Sequence, residues 1–346
     1  MPAEPPSPRV ALVGPTASGK SDLAVAVADA SRRPDAGRSG WPAPVELLSV
    51  DSMAVYRGMD IGTAKPSPSV RARVGYHLID LVEPFRPFTV QEFQAAARTA
   101  LDGIGARRHG ALLVGGTGLY LRSVVDELSF PGRFPEVAAR LTGEVEAGGE
   151  EGSPGQRGVL AALHARLASL DPVAAARLEP TNRRRLIRAL EVTLGSGRPF
   201  SSFGPGLEAY PPSRVTLVGV PYDPETSDGR IADRFAAMMD LGLLDEVRAL
   251  AAAPGGLSRT ARQALGYREL LSHLEGGVPL AEAVEEAVRR TRSFARRQWA
   301  WFRRDPRIVW LEPGEDGLAR MAGMFRQPPP PSSPPSSPEP AARVGD

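Results

Sequence analysis

Residues 14–21 read GPTASGKS and satisfy the G-x-x-x-x-G-K-[ST] spacing of a phosphate loop. Gly14, Pro15, Thr16, Ala17, Ser18, Gly19, Lys20 and Ser21 are therefore the candidate phosphate site. Loop N–H groups and the N-terminus of the following helix make an anion cradle. Lys20 adds a point charge, and the Ser21 hydroxyl can ligate a Mg²⁺ carried by the phosphates. The chain has two lysines, Lys20 and Lys65, against forty arginines. Where arginine is the default cation, lysine in the loop points to a need for a compact ammonium. Lys65 lies outside the loop and is expected to tolerate arginine better.

A second stretch, LLSVDSMAVYRGMDIGTAKP, places Asp51 at the end of an apolar run. Such a carboxylate can hold Mg²⁺ through water, act as a general base, or cap a helix beginning near Ser52. A third, LLVGGTGLY, presents the Thr117 hydroxyl after a glycine turn, a weak signal by itself. Arginine clusters complete the set. In TNRRRLIRALEV, Arg184 and Arg188 share a helix face while Leu186, Ile187 and Leu190 face elsewhere. In RRTRSFARRQWAWFRRDPR, eight arginines interleave with Phe294, Trp299, Trp301 and Phe302. That mixture suits RNA, with guanidiniums on phosphates and aromatics on bases. It equally describes an amphipathic helix with Val284, Val288, Thr291, Ala295 and Phe302 inward and a solvated basic face.

Positioning these groups calls for alternating strands and helices. RVALVG leads into the phosphate loop, and KSDLAVAVADA follows as a helix with Leu23, Val27 and Ala30 on one face. Further strands are expected at 45–50, 111–116, 215–220 and 307–311, with a weaker extended segment at 76–82. Thr89 with Glu92 has capping-box spacing. Unbroken apolar runs suit parallel strands covered on both faces. The fold class is α/β: a P-loop NTPase-like core, mainly parallel and flanked by helices, with a largely helical C-terminal part. Residues 9–128 and 208–320 form that core, and 129–207, with helical patterns only, is an all-helical insertion. The segment 31–44, broken by Pro and Gly, reads as a surface insertion. The Pro/Ser-rich ends, 1–8 and 327–346, read as disordered tails.

Composition removes other classes. There is no cysteine, hence no disulfide, thiolate zinc site or iron–sulfur cluster. The four histidines, His77, His109, His164 and His273, lack ligand spacing and read as surface or capping residues. No apolar run approaches the ~20 residues that span a bilayer, and the N-terminus does not resemble an export signal, so a cytoplasmic location is expected. Net charge is only +2, so a nucleic-acid surface must come from local arginine clusters.

GPTASGKS, DSMAVYRGMDIGTAKP, LLVGGTGLY, RRLIRALEV, RIADRF and QALGYREL, in this order and spacing, resemble the tRNA dimethylallyltransferase family. The resemblance runs from about Arg9 to Leu311, and GMDIGTAKP is its most specific part. It implies transfer of a dimethylallyl group from its diphosphate to N6 of adenosine 37 in the tRNA anticodon stem-loop. Use of Mg²⁺ and action as a monomer are further expectations. By the same resemblance, Asp51 would be the general base and contact RNA with Ser52, Met53 and Ala54. Thr117 would touch the target nucleotide, and Arg234 would hold the leaving diphosphate. Arg184, Arg185, Leu186, Ile187 and Arg188 would line the RNA path, with Gln263, Gly266, Tyr267 and Arg268. Ala54 stands where many members have Gln, and the stretches 31–44 and 143–158 have no evident counterpart.

The chemistry agrees with the residues. An exocyclic adenine amine is a poor nucleophile, so diphosphate must leave readily, which demands fixed positive charge around it. A carboxylate must then take the N6 proton. A P-loop nucleotide kinase would leave GMDIGTAKP and the arginine-rich helices without a role. An adenylate isopentenyltransferase would not need the helical insertion.

Overall fold

The computed structural model describes residues 7–204 and 206–327. Of the expected tails, only Ser7, Pro8 and Gln327 fall within the described residues. The chain divides into two compact units, Met1–Glu127 with Tyr210–Asp346, and Leu128–Ala209. In chain order the first unit begins with β1 (Arg9–Val13), α1 (Lys20–Ala30), β2 (Val45–Val50), α2 (Pro68–Arg73) and β3 (Tyr76–His77). It continues with α3 (Val90–Ala106), β4 (Gly110–Gly115) and α4 (Gly118–Val125). The second unit holds α5 (Pro135–Ala147), α6 (Pro154–Leu170), α7 (Pro172–Arg177) and α8 (Arg183–Ser196). The first unit resumes with β5 (Thr216–Gly219), α9 (Pro224–Asp240), α10 (Leu243–Ala252) and α11 (Tyr267–Gly276). It closes with α12 (Leu280–Phe302), β6 (Ile308–Trp310) and α13 (Gly317–Arg326).

The six strands form one sheet in the order β3-β2-β4-β1-β5-β6, and every pairing is parallel. Alternate residues of β1 serve opposite faces. Val10 and Leu12 pack with Val27 of α1 and Phe325 of α13, whereas Ala11 and Val13 pack with Phe93 of α3 and Leu121 of α4. Both faces are dry, which is why the strands read as unbroken apolar runs. Register sets the working edge. Val13 pairs with Gly115, and Gly115 pairs with Val50, so β1, β4 and β2 end at one level. The loops after them, carrying Lys20, Thr117 and Asp51, leave the sheet side by side, where open α/β sheets bind ligands.

Local signals account for the elements. The Thr89 hydroxyl accepts from Glu92 N at 3.2 Å while the Glu92 carboxylate accepts from Thr89 N at 2.9 Å, the expected capping box of α3. The segment 31–44 is half exposed but anchored. Trp41 is buried with its ring 5.9 Å from Phe325, and Arg326 donates to Gly40 O at 3.0 Å. In the second unit, α5, α6 and α8 share a core of Leu141, Val145, Leu160, Leu163, Leu167 and Leu186. The Gly/Glu-rich stretch 143–158 spans the end of α5, a turn, and the start of α6, where Ser153 accepts from Gln156 N.

One buried carboxylate interrupts β2. Arg107 meets Glu46 through two nitrogens at 2.8 Å each, with His77 Nε2 at 2.6 Å and His109 Nδ1 at 2.7 Å. Burial opposes ionisation, but the hydrogen bonds from Arg107, His77 and His109 outweigh it and hold the carboxyl down to about 2, from 4.5. Two of the histidines thus serve a buried ion cluster. A depressed carboxylate stabilises the fold above its unfolded-state value and stops doing so as pH falls through the folded one. Glu46 should therefore contribute up to about 3 kcal/mol above pH 4.5, lost between pH 4.5 and 2. Acid unfolding of Glu46→Gln should begin from lower stability and show a flatter pH dependence in that window. An identical acid profile would remove the assignment.

Candidate active site

The phosphate loop runs from β1 into α1, and Gly19 turns it with φ 84° before the first helical N–H groups. A left-handed φ is cheap only for glycine, which accounts for that position in the motif. Lys20 folds back over the loop and donates from Nζ to Pro15 O at 2.8 Å. Burial, then the neighbouring Arg234, pull its ammonium down to about 8, against the opposing pull of Asp51. Arg234, on α9, reaches Thr16 Oγ1 at 3.4 Å, and its guanidinium too is lowered, first by burial. Burial lowers both cations and Arg234 adds to the lowering of Lys20, so the pair at this anion cradle is poised for a polyanion.

Asp51 follows β2. Its Oδ1 accepts from Met53 N at 2.7 Å and from Ala54 N at 3.3 Å. No helix starts there; the carboxylate closes a turn instead. Its Oδ2 makes no hydrogen bond among the described residues, so one oxygen orients the group and the other is available for chemistry. Thr117, which ends the turn after β4, accepts at Oγ1 from Ser52 N at 3.2 Å. The acid and the hydroxyl are thereby joined through one peptide. Lys20, Ser21, Asp51, Thr117 and Arg234 line a single cleft of about 440 Å³. Ile231, Phe235 and Met238, spaced along α9 around Arg234, give it an apolar wall.

Several residues with decisive contacts were not legible as site residues. Gln298 of α12, 8% exposed, accepts from Thr16 N at 2.9 Å and donates to Gly116 O at 2.8 Å. The glycine turn exists to admit α12. A Cβ on Gly116 would lie 2.2 Å from Gln298 Nε2, and one on Gly118 would lie 2.2 Å from Trp301 Nε1. The GMDIGTAKP loop is held in a comparable way. The Glu246 carboxylate on α10 accepts from the N–H groups of Asp60 (2.9 Å), Ile61 (2.8 Å) and Gly62 (3.2 Å), and from Tyr267 OH (2.5 Å). Lys65 closes that loop from within. Its side chain is 1% exposed, and its ammonium donates to Tyr56 O (2.6 Å), Asp60 (2.8 Å) and Asp80 (2.6 Å). Three donors meet three acceptors, so an arginine there would disturb the anchoring of this loop, a cost to stability that a position outside the phosphate loop does not by itself reveal.

The expected RNA contacts divide. Ser52 and Met53 are half-buried at the cleft, and Ala54 is 5% exposed yet still lines it. Gln263 and Arg268 are not buried and line the cleft, but Gly266 is buried at the start of α11 and Tyr267 is fully buried. The Tyr267 side chain serves the core and holds the loop through Glu246, withdrawn from the cleft surface. In the second unit Arg184 and Arg185 are exposed and Ile187 is half-buried. Leu186 is fully buried in the core, so its side chain is withdrawn from RNA by the same 3.6-residue period that buries Leu190. Arg188 is partly committed within its own unit, to Glu191 at 2.7 Å, Pro131 O at 2.9 Å and Gly132 O at 3.1 Å.

The chain is similar to known proteins over most of its length. A family model described as IPP transferase matches residues 54–305. A tRNA dimethylallyltransferase of Streptomyces coelicolor is 46% identical over 315 residues, covering 91% of this chain and 93% of that one. One from Thermobifida fusca is 47% identical over 303 residues, covering 87% and 89%. A crystal structure of a tRNA isopentenylpyrophosphate transferase from Bacillus halodurans superposes with TM-score 0.62 at 31% identity, covering 92% of this chain and 97% of that one. With the phosphate loop, carboxylate and hydroxyl at one sheet edge and the match extending through nearly the whole length, the chain is a prenyltransferase and belongs to the IPP transferase family of tRNA dimethylallyltransferases.

Proposed function

We propose that this chain transfers the dimethylallyl group of dimethylallyl diphosphate to N6 of adenosine 37 in the tRNA anticodon stem-loop. The observation that carries this reading is one cleft holding paired cations, Lys20 and Arg234, an apolar wall, and Asp51 oriented with one oxygen spare. The diphosphate would sit on the loop amides and the two cations, and the five-carbon chain on Ile231, Phe235 and Met238. As the allylic C1–O bond breaks, its electron pair leaves with diphosphate, whose charge the cations offset. The N6–C1 bond forms from the adenine lone pair, and the N6 proton passes to Asp51. Adenosine must be unstacked to enter, which costs least from a single-stranded loop.

Mg²⁺ fits this donor set as a passenger of the diphosphate. Ser21 is exposed at the cleft, Ser18 Oγ is buried without a partner, and no cluster of three acidic or histidine ligands occurs among the described residues. The Ser21 hydroxyl would hold it, with phosphate oxygens and water supplying most of the shell. When bound it would neutralise charge growing on the leaving group. No helix among the described residues is long and apolar enough to cross a membrane. With tRNA as substrate the place of action would be the cytoplasm, and each cleft, built from one chain, would act as a monomer.

The test is incubation with dimethylallyl diphosphate, Mg²⁺ and either total tRNA or AMP. Prenylated tRNA supports the reading; prenylated AMP alone would make the chain an adenylate isopentenyltransferase. A companion test concerns the exposed arginines of α8. Arg184→Ala with Arg185→Ala should weaken tRNA binding and lower the slope of log affinity against log salt by about one for each phosphate no longer neutralised. Donor binding should not change. An unaltered slope would leave these arginines as a solvated helix face.

A further inference from the structure

The cleft contains a path of hydrogen bonds that joins its two functions. Arg234 Nη1 donates to Thr16 Oγ1 at 3.4 Å, Thr16 N–H donates to Gln298 Oε1 at 2.9 Å, and Gln298 Nε2 donates to Gly116 O at 2.8 Å. The next residue, Thr117, accepts from Ser52 N at 3.2 Å, and Ser52 follows Asp51. The path therefore starts at the expected diphosphate arginine and ends at the expected base. Its middle link is a side chain from a helix 182 residues away in sequence from Gly116.

The chemistry of that link is restrictive. A backbone N–H can only donate and a carbonyl can only accept, so the residue between them must offer an acceptor and a donor at once. Those partners also fix which end of the amide is oxygen and which is nitrogen. A glutamate would supply the acceptor but set a second oxygen against Gly116 O. An asparagine would be one methylene too short to reach both. Gly116 completes the requirement, because any side chain there would collide with Gln298 Nε2. The link is also 8% exposed, so water competes poorly for either hydrogen bond.

We propose that Gln298 is a positioning residue, fixing the separation between the phosphate loop and the Thr117 turn so that donor carbon, adenine and Asp51 are brought into line. The proposal rests on the transfer reading above. A displacement of the order of 1 Å between reacting groups can cost ~10²-fold in rate. Lys20, Arg234 and the other loop amides remain when Gln298 is changed, so donor affinity should largely survive.

Two variants test this. Gln298→Glu keeps size and acceptor; Gln298→Met keeps volume and removes both hydrogen bonds. Each should remain folded by thermal melting and bind dimethylallyl diphosphate within about threefold of wild type. Each should nevertheless lose at least about tenfold in single-turnover transfer to tRNA at saturating substrates. A residue that only held the fold together would lower melting, affinity and rate together, and that pattern would overturn the proposal. A second measurement does not need transfer to occur. Inorganic diphosphate with Mg²⁺ should slow amide exchange at residues 115–118 in wild type and leave it unchanged in Gln298→Met. Should both proteins respond alike, Gln298 does not connect the loops, whatever the reaction is. Failure of the wild-type chain to prenylate tRNA would instead remove the transfer reading and leave the exchange result standing.

Discussion

Replacing Asp51 by Asn should lower turnover by about 10²–10⁴-fold while donor affinity barely changes. The substitution suits the geometry. Asparagine keeps an oxygen for Met53 N and Ala54 N, at 2.7 and 3.3 Å in the native turn, so the backbone keeps its course. What is lost is the spare oxygen that would accept the N6 proton. Single-turnover transfer at saturating tRNA and donor measures the chemical step, and donor binding by calorimetry measures the rest. Near-normal turnover would reduce Asp51 to a turn-closing residue.

Lys20→Arg should fail almost as badly as Lys20→Ala, on the order of 10²–10³-fold in the same assay. The charge is conserved; the shape is not. Lys20 already lies 2.8 Å from Pro15 O, inside the arc of its own loop, with Arg234 close enough to help pull its ammonium down to about 8. A planar fork would have to displace the diphosphate or swing away from it. Lys65→Arg gives the contrast. There the three donors of a buried ammonium are all taken, so the larger group should cost on the order of 1–3 kcal/mol, read as a lower melting temperature. Lys20→Arg should melt close to wild type. If it keeps most of the wild-type rate, charge alone matters at the loop.

What sequence could and could not reveal follows from where each residue's partners lie. The phosphate loop was readable because its requirements are local: glycine at a left-handed turn, lysine and serine at the start of a helix. The strands were readable because a sheet covered on both faces favours apolar residues at most positions, Glu46 of β2 being an exception. Asp51 was readable as a strand-end carboxylate, although the turn it closes was not. The GGTG turn looked commonplace because its meaning resides in Gln298 and Trp301, near the other end of the chain. Gln298 itself stands among arginines and aromatics, a mixture that in sequence reads as an RNA surface. Likewise Glu246 holds amides 184–186 residues away, a relation no local pattern encodes. The buried side chains of Tyr267 and Leu186 illustrate a different limit. Membership of a motif does not say which side chains point inward, whereas the helical period of Leu186 with Leu190 did.

The order of strands in the sheet also bears on how the chain comes to be folded. β1 is the first strand to be made, yet its neighbours are β4 and β5, whose registers bring Val13 to Gly115 and to Gly219. During synthesis the phosphate loop is therefore complete in sequence long before anything exists to hold it in shape. Leu128–Ala209, with a core of its own, emerges between the two neighbours and can settle while β1 waits. Only when α12 has left the ribosome can Gln298 reach Thr16 and Gly116. Bringing together groups at such separations is slow, because chain entropy must be given up before they meet. Nascent chains that lack α12 thus carry the loop's eight residues without the contacts that shape it, and the site is completed only once α12 has emerged.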